Sequence, residues 1–251
     1  MNLKKIKLIC LLYLIFFYTL SSCKKIDYEP LELDYLYKHK DRNNNYLVRR
    51  SNGFHKLNGV TIKDSSYGII TVHGYYPERE KAKGHEWVKP LNIISEKNIP
   101  IWFFKYDWNN CIQQSTNYLH EQLEPFIDEH NYLDSIWIIG HSMGGVITAL
   151  LSEQWDLKIP ITVHSVAASL GEYNQKVSGC NKFKKDQYTI DEKVNFTQWK
   201  TKKEHDEIFG RMDFDPQIII LKGGKSVLLP SEWNGKRIGH NFSLYWVCKN
   251  I

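Results

Sequence analysis

The chain has 251 residues, 42% of them hydrophobic and 14% aromatic, and 33 basic against 28 acidic side chains give a formal charge of +5. That is too apolar for a disordered segment, and the length suits one domain with a sizeable core. The basic excess is small and no recognition motif accompanies it, so nucleic acid is not an expected partner.

Lys4, Lys5 and Lys7 open the chain, and the uncharged run Leu8 to Leu20 follows. The run is short for a bilayer span but has the length of a signal-peptide core. It ends in Leu20-Ser21-Ser22-Cys23, which resembles the lipobox of bacterial lipoproteins. The resemblance implies that residues 1–22 are removed and that Cys23 is lipidated as the first mature residue. Several acyl chains on Cys23 would hold the protein stably on a membrane of the bacterial cell envelope, since one chain alone binds only marginally. Lys24 favours the outer membrane, by similarity to other lipoproteins. Without residues 1–22 the basic excess falls to +2.

Residues 24–45 are polar and read as a tether, leaving 46–251 as the folded domain. Tyr46 to Thr61 suggests one or two short strands around the Asn52-Gly53 turn signal. Tyr67 to Val72 is a predicted strand ending at His73-Gly74, Trp87 to Lys97 a helix with Pro90 near its first turn, and Ile99 to Tyr106 the next strand. Cys111 to Glu129 carries Ile112, Leu119, Leu123, Phe126 and Ile127 on one helical face. Further strands are expected at Asp134 to Ile139, Pro160 to Ala167, Val194 to Trp199 and Gln217 to Leu221, with a helix from Val146 and a closing helix over Asn241 to Ile251. Residues 171–192 read as a polar loop or small insertion. Its Lys182-Phe183-Lys184-Lys185 run suits either solvent or an anionic lipid surface. Strands alternating with helices imply a mainly parallel sheet covered on both faces.

After the signal segment and Cys23, the cysteines left are Cys111, Cys180 and Cys248. One disulfide and a spare thiol fit that count, with the pair left open. No CxxC or zinc-ligand spacing occurs, and His120-Glu121 lacks the second histidine of H-E-x-x-H, so neither metal nor cofactor is expected.

Gly140-His141-Ser142-Met143-Gly144-Gly145 is a G-x-S-x-G motif between a predicted strand and a predicted helix, the setting of a nucleophile elbow. Such a turn is tight, and glycines at its flanks keep Cβ atoms out of the neighbouring backbone. A serine there needs an imidazole to take its proton and a carboxylate to orient that imidazole. Ligands of parallel sheets bind beyond the carboxyl ends of the strands, which ranks the candidates. His164 lies within a strand and His205 in a charged loop, whereas His240 follows the last strand. Asp213 and Asp215, like Asp186 and Asp191, precede strands. Asp206 follows one, with Glu172 as the alternative acid. The oxyanion needs two N–H donors, assigned to Met143 and to Tyr75 in the loop His73-Gly74-Tyr75-Tyr76, with Tyr76 next in line.

With those pieces in place, residues 67–250 resemble the α/β-hydrolase superfamily, most closely its small lipases and esterases. The matching residues are Ile69 to Gly74, Asp107-Trp108 and the elbow at Gly140 to Gly145, followed by acid and histidine in the family's order. The resemblance implies an α/β fold with a small cap or none, and a Ser142–His240–Asp206 triad acting on a small-molecule or lipid ester. The same triad would serve an acyltransferase, thioesterase or amidase. A third alternative is an inactive hydrolase fold used as a binding lipoprotein.

Overall fold

The computed structural model describes residues 30–38, 45–78, 80–173 and 180–251, so Cys23, Lys24 and the segment before them lie outside the described residues. Eight strands make the central sheet: β1 (Leu31–Glu32), β2 (Gly53–Asn58), β3 (Tyr67–Val72), β4 (Ile101–Lys105), β5 (Ser135–His141), β6 (Ile161–Val166), β7 (Val194–Lys200) and β8 (Gly224–Leu228). Their spatial order is β1-β2-β4-β3-β5-β6-β7-β8, and every neighbouring pair is parallel except β2 with β4. The helices are α1 (Leu33–Lys38), α2 (Val88–Ser95), α3 (Ile112–Glu129), α4 (Met143–Glu153) and α5 (His240–Asn250). This is the mainly parallel sheet with helices on both faces expected from the sequence. Among the described residues no helix is long and apolar enough to cross a membrane.

Alternation along the central strands sorts the core into two layers. Ile70 and Val72 of β3, Ile136 and Ile138 of β5, and Ile161 and Val163 of β6 share one layer with Leu119, Leu123 and Phe126 of α3 and Val146 and Ile147 of α4. Ile69, Ile139 and Val166, one step out of phase, share the other with Leu91 and Ile94 of α2 and Leu244 and Val247 of α5. Each such side chain contributes about 1.5–3 kcal/mol by leaving water. The helix α4 is buried almost all round, and its hydroxyls turn inward on its own carbonyls: Thr148 donates to Gly145 at 3.1 Å and Ser152 to Thr148 at 2.7 Å.

The structure departs from the sequence reading in four places. The folded body begins before Tyr46, because Leu31, Leu33 and Leu36 are buried and β1 pairs with β2. Three leucines in a charged stretch leave no clear period, yet all three join the second core layer, and β1 forms the sheet's first edge. Gln217 to Leu221 is not a central strand: only Ile220–Lys222 pairs, with Gln187–Thr189 in a separate two-stranded sheet, and Ile218 and Ile220 are exposed. The last central strand is instead β8, whose polar sequence GKSVL suits a sheet edge open to water. The closing helix starts at His240 rather than Asn241.

In the 171–192 region, Glu172–Tyr173 and Phe183–Lys184 form an antiparallel pair. A Cys111–Cys180 disulfide ties this region to the N-terminus of α3, while Cys248 is free and buried. The cross-link spans 69 residues, which in the loop-entropy picture corresponds to about 4 kcal/mol of destabilisation of the unfolded chain. The double substitution Cys111→Ser/Cys180→Ser is therefore expected to lower the unfolding free energy by an amount of that order, read as a lower urea midpoint. An unchanged midpoint would mean that the cross-link carries no stability.

Candidate active site

β5 ends at His141 and α4 starts at Met143, so the whole reversal rests on Ser142, whose backbone is at φ 54°, ψ −120°. That region is costly for a residue with a Cβ, and only the surrounding packing holds it. The glycines make the packing possible. A Cβ on Gly144 would stand 2.3 Å from the Val72 carbonyl oxygen and 2.4 Å from that of His73, and one on Gly140 would stand 2.5 Å from the Gly144 oxygen. The elbow is thus pressed against the end of β3. It is also tied to β6, since the Ser142 N–H donates to the Val166 carbonyl at 2.9 Å.

Of the three histidines after the elbow, only His240 meets a carboxylate suited to orient it. Its Nδ1–H donates to Asp206 Oδ2 at 3.0 Å, which leaves Nε2 as the ring's acceptor. His240 also comes up against the strand end that carries the serine. His141, the residue before Ser142, donates its Nε2–H to the His240 carbonyl at 3.0 Å, with the rings 5.0 Å apart. Burial, and then the nearby His240 charge, push the His141 ring down to about 3, so it is neutral, and its Nδ1 finds no partner. At the start of α5, Glu207 Oε2 accepts the His240 N–H at 2.8 Å and caps the helix.

Asp206 is 2% exposed and fully hydrogen-bonded. Oδ2 accepts from His240 and from the Thr201 hydroxyl at 2.8 Å; Oδ1 accepts the N–H groups of Ile208 and Phe209 at 2.9 and 3.0 Å. Burial alone would raise its pKa, but the bond and charge of His240, with the Phe209 and Thr201 bonds, outweigh it and hold the carboxyl below its ordinary value. Gln217 staples the loop behind it, accepting the Thr201 N–H at 2.9 Å and donating to the Thr201 carbonyl at 3.0 Å.

Gly74 brings the loop after β3 to the serine, since its Cβ position lies 3.1 Å from Ser142 Cβ. His73 fixes how that loop is turned. Its Nε2 accepts the Tyr106 N–H at 3.3 Å, so the ring proton is on Nδ1, which donates to the Gly74 carbonyl at 2.7 Å. Burial depresses this imidazole to about 3 and keeps it neutral, stacked 4.2 Å from the Tyr106 ring. No peptide here is cis, so the Tyr75 N–H points away from the bonded Gly74 carbonyl. The other candidate donor, Met143 N–H, opens α4, where no carbonyl of the helix can reach it.

The remaining candidates go elsewhere. Glu172 forms an ion pair with Lys182, and the Lys185 ammonium binds Glu153 at 3.1 Å, which commits two lysines of the basic run. His164 accepts the Trp199 Nε1–H at 3.1 Å, and burial, then the Lys97 charge, depress it to about 4. His205 lies 3.3 Å from the Ser231 carbonyl. His120 pairs with Asp156 on the surface. The sequence reading did not single out Thr201, Gln217, Glu207 or His141; only Thr201 carried a usable signal, lying just beyond the strand that leads to the acid.

No protein-family model and no curated protein sequence matches the chain. Among solved structures it is similar to Est1E from Butyrivibrio proteoclasticus with bound ferulic acid, at 11% identity and a TM-score of 0.48, over 79% of this chain and 92% of that one. It is also similar to a lidless α/β serine hydrolase from Xanthomonas campestris, at 12% identity and a TM-score of 0.45, over 74% and 79%. Mouse α/β-hydrolase domain-containing protein 10 gives 13% identity and a TM-score of 0.48, over 78% and 90%.

Proposed function

We propose that the chain is a membrane-tethered serine hydrolase that cleaves a carboxylic ester in the manner of a lipase or esterase. The observation that carries this is the buried Asp206–His240 bond, set against the strand end that presents Ser142. Ser142 Oγ adds to the acyl carbonyl carbon while its proton passes to His240 Nε2. The N–H groups of Met143 and Tyr75 hold the resulting oxyanion. Collapse breaks the carbon–oxygen bond to the leaving alcohol, which takes the proton from His240. Water then repeats the sequence on the acyl-serine and frees the acid. Asp206 keeps its negative charge throughout and steadies the imidazolium. The tether is lipidated Cys23, a proposal that rests on the lipobox resemblance.

Ser142→Ala tests this directly. The wild-type protein is expected to be labelled by a fluorophosphonate probe and the variant to take no label. Absence of labelling in folded wild-type protein would overturn the hydrolase reading and favour a binding lipoprotein. Esters of graded chain length compared with thioesters and anilides then identify the bond it prefers.

A further inference from the structure

Tyr76, two residues past Gly74, is 3% exposed, and its hydroxyl donates to Glu86 Oε1. Glu86 sits on a single 3-10 turn, His85–Trp87, that packs against α5, the helix whose first residue is His240. A carboxyl group is therefore built into the wall of the site, tied at one side to the oxyanion loop and close enough to His240 for the two charges to interact. The Asp206–His240–Ser142 mechanism does not use it.

We propose that Glu86 is a positioning residue: through the Tyr76 hydroxyl it latches the loop that carries the second oxyanion donor, and its carboxylate adds a second negative neighbour to His240. This rests on the hydrolase reading and deepens it. Two functions are thereby joined in one side chain, because the group that fixes the loop also sets a carboxyl on the turn packed against the helix that begins at His240.

The surroundings make the ionisation of Glu86 consequential. Facing it are the Tyr76 phenol, with Tyr106 behind; Glu80, itself raised by burial and offset by Lys83; and His240 from α5. Burial raises the Glu86 carboxyl from 4.5 to about 7, with the Tyr76 bond and the His240 charge opposing the rise. Between those values the folded protein keeps a proton that the unfolded chain has released. Glu86 thus withdraws stability as pH rises through this window, and the loss is complete above it. His73 and His141 do the opposite, since their folded values near 3 lie below the ordinary 6.5. Only a difference between variants isolates Glu86.

Two substitutions separate the latch from the charge. Glu86→Gln keeps an oxygen for the Tyr76 hydroxyl but has no charge, so the pH profile of kcat/KM for p-nitrophenyl acetate is expected to lose one ionisation relative to wild type. Tyr76→Phe keeps the charge and cuts the latch, so kcat should fall roughly tenfold or more with KM little changed. Urea unfolding between pH 5 and 8 should show Glu86→Gln gaining stability on wild type as pH rises. Variants with the wild-type profile and kcat, or with stability alone reduced, would overturn the proposal. If wild type neither hydrolyses esters nor takes the probe, the hydrolase reading fails by itself. Equal stability slopes in the urea series would still refute the ionising half-buried carboxyl.

Discussion

Asp206→Asn is expected to lower kcat by about 10⁴-fold in a protein that remains folded. The reason is the His240 tautomer. An asparagine turned to preserve the Ile208 and Phe209 bonds on its oxygen would present its NH₂ group to His240 Nδ1. The ring would then accept at Nδ1 and carry its proton on Nε2, where it cannot take one from Ser142. The Thr201 hydroxyl would lose Asp206 but keep Gln217 Oε1, 3.2 Å away, so the stability loss is expected to stay below the roughly 1–3 kcal/mol of an unpaired buried group. Ester hydrolysis and probe labelling read the first effect, and the urea midpoint reads the second. Activity within tenfold of wild type would remove Asp206 from the triad. Glu172 would be no replacement in this conformation, because it is engaged with Lys182.

Gly144→Ala should act through the fold instead. The added methyl has two backbone carbonyl oxygens, of Val72 and His73, within 2.4 Å, and neither can swing aside as a flexible side chain would. Either α4 must move off the end of β3 or the elbow must open, at about 3 kcal/mol or more. The urea midpoint should drop accordingly, and labelling of Ser142 should fall with it. Gly74→Ala is the informative contrast. Its methyl meets Ser142 Cβ at 3.1 Å, a contact that a small shift relieves, so stability should hold while labelling slows. Equal stability losses for both variants would show that the close approach of α4 to β3 is not what makes Gly144 necessary.

The pairing of Asp206 with His240 in the candidate site is legible in the sequence because parallel sheets gather chemistry at one end. Once Val194 to Trp199 was read as a strand, Asp206 fell at its carboxyl side, and the structure joins it to His240 across 34 residues. The placement of Gln217 failed for a physical reason. Ile218, Ile219 and Ile220 have the β-branched character of a buried strand, yet they lie on an excursion where two of them meet water. The true edge strand, Gly224–Leu228, is too polar to stand out. Long-range polar pairings were equally invisible: nothing local in the sequence announces that Gln217 will brace Thr201, or that Glu86 will accept a bond from Tyr76. The cysteine count allowed one bridge but could not choose Cys111 with Cys180, since that pairing depends on how the 171–192 region folds back on α3.

The early start of the folded body has a consequence for where a lipid-anchored domain would work. A tether running to Tyr46 would give the domain a leash of about 80 Å when fully extended from Cys23. With Leu31 already seated in the sheet, a chain anchored at Cys23 would reach roughly 30 Å at most. On a lipidated Cys23 the domain would ride close above the bilayer, searching in two dimensions rather than three. Its turnover would then follow the surface density of substrate in its own membrane, not the bulk concentration in the surrounding compartment.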